Sequence, residues 1–320
     1  MVRRKSLVVG KEDKGIKMKT RKIIITGGSG LVMSRIIELL GGKYNFISIE
    51  RTPSPKASAD KSQLIILDLT KKETVKKVVF DVQPEIIIHA AALTEVDLCE
   101  KDKTLAQKIN VGITETLTQI AEQAKSFLVY ISTDFVFNGK RGNYTEKDQP
   151  DPVNFYGQTK YEGETIVQTL RHYCILRTAF PYRADFPLKK DCLRWMLEKL
   201  ERNEEIRAVS DQFVTPTFID DMAAAIDKVI ALKPVGVYHM AGSQRVSWFR
   251  AAEIMAQIFR FNPDLIKPIP YEEFAKGKDR ALRPHDSSLS CVKLEKDFNI
   301  KMSSLEDGLK EIRQQREKML

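Results

Sequence analysis

Through the first half of the chain, short runs of branched apolar residues alternate with longer stretches whose apolar positions recur every three or four residues. The runs at 22–26 (KIIIT) and 85–89 (EIIIH) are apolar almost throughout, as in strands buried on both faces, and 45–49, 63–67, 127–131 and 172–176 read as further strands. Helical spacing marks Leu31–Leu40, 71–79, a long stretch at 104–125 with Leu105, Ile109, Ile113, Leu117 and Ile120 on one face, and 154–164. Strands alternating with helices in this way predict an α/β fold, a Rossmann-type doubly wound parallel sheet covered on both faces. After Thr178 the rhythm loosens. Helices are expected at 189–202, Ile219–Leu232, Trp248–Phe259 and from Ser304 onward, with a strand at 236–240. The expected division is therefore a dinucleotide-binding domain over 22–178 and a smaller substrate-binding region over 179–320 that also supplies late sheet strands.

Small and polar residues collect where the strands end, which is where ligands of such sheets lie. Gly27, Gly28, Ser29 and Gly30 follow the first strand and precede the helix that begins at Leu31. Strand, glycine turn and helix in that order form an anion site, because free N–H groups and the helix dipole face whatever sits over the turn. Gly27 permits the tight turn and Gly30 the close approach of a pyrophosphate. The second strand ends at Glu50, at the spacing of an acid for the adenosine ribose hydroxyls. Arg51 beside it could instead serve a 2′-phosphate, and a plain strand-end charge is the other reading of Glu50. Later strands end at Asp68-Leu69, at Ala90-Ala91-Ala92 and at Ser132-Thr133-Asp134. In the 154–164 helix, Tyr156 and Lys160 share one face. An ammonium beside a phenol favours the phenolate, which predicts a Tyr156 pKa drawn toward neutrality and a proton exchanger at a carbonyl oxygen. The same spacing also occurs on solvated helix faces.

Composition narrows the class. With 320 residues, 42% hydrophobic and 30% charged, the chain can bury one large core or two moderate ones. No apolar run reaches the roughly 18 to 20 residues of a bilayer span, and the start lacks a signal-peptide core, so a cytoplasmic location without a membrane partner is expected. Cys99, Cys174, Cys192 and Cys291 are widely spaced, and neither a metal site nor a disulfide framework is expected. The formal charge of +9 invites a nucleic-acid reading, but nine Lys and Arg stand in the first 22 positions against only Glu12 and Asp13. The charge belongs to a basic extension over 1–21, read as disordered, either a solvated tail or a tether for an anionic partner. No nucleic-acid partner is expected for the rest.

Taken together, Thr26-Gly27-Gly28-Ser29-Gly30, Asp68-Leu69, His89-Ala90-Ala91-Ala92, Asn110, Ser132-Thr133-Asp134 and Tyr156-x-x-x-Lys160 resemble the extended short-chain dehydrogenase/reductases in order and spacing. Within these the chain is most similar to the dTDP-4-dehydrorhamnose reductase family. The segments that carry this are 91–100 (AALTEVDLCE), 132–139 (STDFVFNG), Asp211-Gln212-Phe213 with Pro216-Thr217, and Arg283-Pro284-His285 with Ser288 and Leu289. The resemblance implies a catalytic set of Thr133, Tyr156 and Lys160, with Ser132 as the alternative hydroxyl. It implies an NAD(P)H site formed by Gly27, Ser29, Gly30, Leu31, Glu50, Arg51, Asp68, Leu69, Ala90, Ala91, Ala92 and Asn110 together with Tyr156 and Lys160. A 4-keto sugar nucleotide would meet Thr94, Val96, Thr217 and Arg283, the last suited to a diphosphate by its planar fork of donors. A homodimer is a further expectation, with the oligomeric state left open.

Three positions depart from the family pattern. Met33 stands where a third glycine is usual, which predicts a shifted helix and weaker cofactor binding. The segment 179–185 (AFPYRAD) replaces an asparagine-rich one, and Phe135 replaces the glutamate of the related 4,6-dehydratases. Two other functions stay open: a non-catalytic regulatory subunit similar to the methionine adenosyltransferase β-subunit, and a sugar-nucleotide epimerase.

Overall fold

The structure, a computed structural model, describes residues 21–52, 62–277 and 279–318; apart from Arg21, the basic extension lies outside the described residues. β1 (Lys22–Thr26) runs through the glycine turn into α1 (Leu31–Leu40), which buries Met33, Ile36 and Ile37 at helical spacing. β2 (Asn45–Glu50), β3 (Ser62–Ile66), α2 (Lys72–Val82) and β4 (Ile86–His89) continue the alternation. The single helix expected over 104–125 is instead divided. α3 (Val96–Lys101) and α4 (Lys103–Ala106) lead into a π-helical stretch, Gln107–Gly112, and then α5 (Ile113–Ala124). The wider π turn changes the helical phase and brings Asn110 and Val111 inward together, which a regular 3.6-residue period does not anticipate. β5 (Phe127–Thr133), α6 (Phe155–Val167) and β6 (Tyr173–Thr178) complete the first half.

The second half contains β7 (Pro181–Tyr182), α7 (Cys192–Glu201), β8 (Ile206–Val209), β9 (Phe213–Val214), β10 (Thr217–Phe218) and α8 (Ile219–Leu232). It continues with β11 (Gly236–His239), β12 (Val246–Ser247), α9 (Trp248–Phe259), β13 (Ile266–Ile269), α10 (Tyr271–Ala275), α11 (Val292–Phe298) and α12 (Leu305–Glu317).

Seven strands form one parallel sheet in the order β11-β6-β5-β4-β1-β2-β3, the doubly wound arrangement that the alternating pattern predicts. Successive residues of β1 serve opposite faces. Ile23 and Ile25 pack with α1, α8 and α11, whereas Ile24 packs with Val75 and Val79 of α2 and Leu117 of α5. A second apolar core gathers α7, α9 and α12 around β8 and β13, with Leu197, Met255 and Leu309 fully or nearly buried. The two halves interleave, since β11 pairs with β6 and α8 packs against α1. Strand order reverses between β1 and β4, and there the glycine turn meets Ala90-Ala91-Ala92 at the crevice where such sheets bind ligands.

Candidate active site

The glycine turn is built around a close approach. Gly27 has φ +73°, and a Cβ there would lie 2.9 Å from the amide nitrogen of Ala91. The turn therefore lies directly on the 90–92 backbone, with Ala91 N also donating to Thr26 Oγ1 at 3.3 Å. α1 starts from Gly30 with no side-chain cap and no acidic residue in its first turn, so the amides there remain open to an anion.

Glu50 is buried and accepts from Ser29 N at 2.8 Å, Ser29 Oγ at 2.7 Å and Ser48 Oγ at 2.6 Å. It is no plain strand-end charge. Arg51, the next residue, lies just beyond the end of β2 and is exposed. A tight turn against the 90–92 backbone, an uncapped helix start and a buried acid beside them suit a pyridine dinucleotide. Asp68 accepts from Thr70 N at 2.9 Å, a bond that holds its carboxyl below the usual range, and Leu69 is buried beside it. Met33 sits in the core cluster that contains the β1 and β4 isoleucines. Asn110 is occupied within the protein: it accepts from Leu93 N at 2.7 Å and donates to Leu93 O at 3.1 Å and Thr159 Oγ1 at 3.0 Å. It fixes the loop after β4 against α6.

Thr133, the last residue of β5, meets the first turn of α6. Asn154 caps that helix by accepting from Gly157 N at 2.8 Å, which sets Tyr156 in the first turn. Tyr156 lies in the field of Thr133, which acts to lower its pKa, and the Thr133 hydroxyl donates to Asp134 Oδ1 at 3.1 Å and accepts from Phe135 N at 3.2 Å. Lys160 is 3% exposed; its Nζ donates to Ile131 O at 2.8 Å and lies 3.9 Å from the centre of the Tyr130 ring.

The expected fall in the Tyr156 pKa is not found. Burial drives it well above the ordinary phenol value, the neighbouring Asp134 charge adds to the rise, and Thr133 acts against it. The reason is geometric, because the Lys160 nitrogen is turned to a β5 carbonyl and desolvation dominates. Burial also pushes Lys160 down to about 7, with the Glu164 charge acting against it. Asp134 is fully enclosed, bonded by Ser287 Oγ at 2.5 Å, and its carboxyl is pushed up to about 7 by burial.

The segments that the sequence scatters over more than a hundred positions meet in space. Gln212 Nε2 donates to Pro284 O at 2.9 Å, Phe213 N to His285 O at 2.8 Å and Asp286 N to Gly139 O at 3.0 Å. Arg283 donates to Asp97 Oδ1 at 2.9 Å and to Ala281 O at 2.7 Å, so its guanidinium joins the C-terminal loop to α3, which begins at Val96. Thr94 is exposed, with Lys189 Nζ 3.4 Å from its hydroxyl. Thr217 is fully buried and donates to Ala179 O at 2.6 Å, tying β10 to the turn after β6. Arg183 reaches the first turns of α1, with Nη1 3.1 Å from Ser34 Oγ, beside a cavity of about 260 Å³. A larger groove of about 660 Å³ is lined by Lys103, Gln107, Val111, Phe155 and Glu162.

A family model described as the RmlD substrate binding domain matches residues 21–317. The chain belongs to that family. Among relatives of this RmlD-family chain, the dTDP-4-dehydrorhamnose reductase of Aggregatibacter actinomycetemcomitans is 30% identical over 307 residues, covering 91% of this chain and 98% of its own. The Bacillus anthracis dTDP-4-dehydrorhamnose reductase, whose structure was solved in complex with NADP, gives a TM-score of 0.82 at 31% identity, covering 92% of this chain and 99% of its own. Methionine adenosyltransferase 2 subunit beta of Rattus norvegicus is 27% identical over 292 residues, covering 88% of this chain and 84% of its own.

Sequence reasoning passed over several residues of the RmlD-family site. Phe180 holds φ +42°, which a non-glycine residue adopts under constraint, and it stacks edge-on between Phe135 at 5.8 Å and Trp248 at 4.9 Å. Phe135 in turn packs edge-on against Tyr156 at 6.0 Å. An aromatic wall thus runs from α6 into the second core. Its only sequence signal is the Ala179-Phe180-Pro181 segment at the end of β6. Glu164 and Arg177 were also missed, although Glu164 continues the Tyr156, Lys160 spacing by one more turn.

Proposed function

We propose that this RmlD-family chain is an NAD(P)H-dependent oxidoreductase that reduces the ketone of a 4-keto sugar nucleotide, as its dTDP-4-dehydrorhamnose reductase relatives do by name. The observation that carries the reading is the gathering of Thr133, Tyr156 and Lys160 at the carboxyl-end half of β5, in a sheet whose first helix starts uncapped after a glycine turn. The dinucleotide, when bound, supplies the hydride. Gly27, Ser29, Gly30 and Leu31 would hold its pyrophosphate, Glu50 its adenosine ribose, and the 90–92 backbone its flat rings. Tyr156 then gives its proton to the ketone oxygen, where negative charge develops, and Thr133, its hydroxyl turned from Asp134, donates a hydrogen bond to the same oxygen. A phenol kept protonated by burial suits this direction, because reduction needs the proton in place beforehand. Lys160 supplies positive charge near the developing alkoxide. We place the reaction in the cytoplasm, with a homodimer as the assembly and no nucleic-acid partner; no helix among the described residues is long and apolar enough to cross a membrane.

The test is oxidation of NADH and NADPH by the purified chain with a small panel of 4-keto sugar nucleotides. Dinucleotide binding without any oxidation would favour the second reading, a regulatory subunit, which the similarity to methionine adenosyltransferase 2 subunit beta supports. An epimerase would instead retain its dinucleotide through purification and interconvert sugars without net oxidation.

Cofactor choice follows from Glu50. Its buried carboxylate repels a 2′-phosphate, so NADH is expected to show the lower KM, and Glu50→Gln to shrink the difference by about tenfold, the equivalent of about 1.4 kcal/mol. A clear preference of the wild type for NADPH would show that Arg51 governs instead.

Arg283→Lys tests the diphosphate site. Lysine keeps the charge but loses the fork, so the KM for the sugar nucleotide should rise about tenfold with NAD(P)H affinity unchanged. An unchanged KM would leave Arg283 as a tie between the C-terminal loop and Asp97.

A further inference from the structure

Below the catalytic pair lies a second set of buried polar groups that the mechanism leaves unused. α6 carries Tyr156, Lys160 and Glu164 at four-residue intervals, which puts all three on one face. Each meets β5: Tyr156 at Thr133, Lys160 at Ile131 O, and Glu164 at Ser132 Oγ, 2.5 Å from its Oε1. Arg177 stands opposite Ser132 in the β5–β6 register and closes the set. Its Nε lies 2.9 and 3.2 Å from the two Glu164 oxygens and its Nη2 lies 2.6 Å from Oε2. The side chains are 0% and 3% exposed. Desolvation of such a pair opposes folding, and apolar residues of equal volume often serve stability as well. Its place one turn beyond Lys160 points to another role.

We propose that Glu164, clamped by Arg177 and Ser132, is a positioning residue that ties the end of β5 to α6 and keeps Lys160 in its ammonium form for the dinucleotide. The inference rests on the reductase reading, specifically on dinucleotide binding at this site. Lys160 is the group whose charge is in the balance, since burial pushes it down to about 7 and the Glu164 charge acts in the opposite direction. The titratable and charged groups around the pair are Tyr156 on α6, Tyr130 on β5, Asp134 just after it, His89 on β4, Arg177 on β6 and His239 on β11. Burial holds both histidines down to about 3 and both tyrosines above their ordinary value, so these four keep one charge state near neutral pH. Asp134 titrates in the same range as Lys160, but it is common to wild type and variant, and their difference isolates Glu164.

The sign is fixed. Binding that uses the ammonium is complete below the Lys160 pKa and is lost as pH rises through it. Removing the neighbouring negative charge lowers that pKa, so the loss must come at lower pH. The experiment is NADPH fluorescence titration of the full chain across pH, for wild type, Glu164→Gln and Glu164→Asp. The midpoint of the alkaline loss should fall by about half a pH unit or more in Glu164→Gln and return toward wild type in Glu164→Asp, which keeps the charge. A purely structural role would weaken folding without moving the midpoint. If Glu164→Gln does not fold because Arg177 is stranded, the double variant Glu164→Gln/Arg177→Met is compared with Arg177→Met, so that both lack the guanidinium; the midpoint should then be lower in the double variant, and equal midpoints overturn the proposal. A folded variant with an unmoved midpoint overturns the positioning role alone, whereas a wild-type chain that binds no dinucleotide overturns the reading beneath it.

Discussion

Tyr156→Phe is expected to lower the rate of sugar-nucleotide reduction about 10²- to 10⁴-fold, the usual contribution of a positioned acid, while NAD(P)H binding stays close to wild type. The substitution removes one oxygen and keeps the ring, whose edge-on contact with Phe135 at 6.0 Å survives. Thr133 is not orphaned by the loss, since its hydroxyl still donates to Asp134 and accepts from Phe135 N. The stability change should therefore stay near the roughly 1 kcal/mol of a single hydrogen bond. Single-turnover dinucleotide oxidation reads the chemical step, and fluorescence titration reads binding. Wild-type turnover in Tyr156→Phe would remove the tyrosine from the acid role and leave Asp134, buried beside Thr133, as the group to examine.

Gly157→Ala is expected to damage both stability and rate, against the ordinary preference of a helix for alanine, which is worth about 1 kcal/mol. A Cβ at this position would lie 2.1 Å from the carbonyl oxygen of Phe135 and 2.9 Å from Pro152 Cβ. The first obstacle is backbone in the turn after β5 and the second is a rigid ring, so neither can yield by changing rotamer. α6 must then move away from the end of β5 and carry Tyr156 off Thr133. Overpacking of this kind costs about 1 to 3 kcal/mol, and a misplacement of about 1 Å at a reacting group can lower the rate about 10²-fold. Thermal unfolding and kcat together check the prediction. A variant with higher Tm and unchanged kcat would mean that the helix tolerates the methyl group and that the close contact does not set the tyrosine's position.

Much of the fold was legible because its signals are local. Runs such as 22–26 and 85–89 can bury both faces only inside a covered parallel sheet, and residues 219–232 and 248–259 form helices at the bounds their periodicity predicts. The long helix over 104–125 was misread for a related reason. Periodicity assumes one constant turn, and the π stretch at Gln107–Gly112 breaks that assumption to satisfy Leu93 through Asn110. The electrostatics of the site were the least legible part. Tyr156 and Lys160 do share a helix face, yet the sign of the tyrosine shift depends on burial and on where the lysine nitrogen turns.

By itself, then, the sequence determined the alternation of strands and helices through the first half and the main helices of the second, the glycine turn with its uncapped helix, and the placing of Tyr156 four residues before Lys160. Each of these depends on neighbours within a few positions, where steric limits and side-chain periodicity act. Only the tertiary structure decided that Glu50 binds Ser29, that Lys160 faces Ile131, that Glu164 pairs with Arg177, and that residues 283–287 return to Asp97, Gly139 and Asp134. These depend on which distant segments meet and on how completely water is excluded when they do. Desolvation is a property of the assembled core, and no stretch of chain carries it alone.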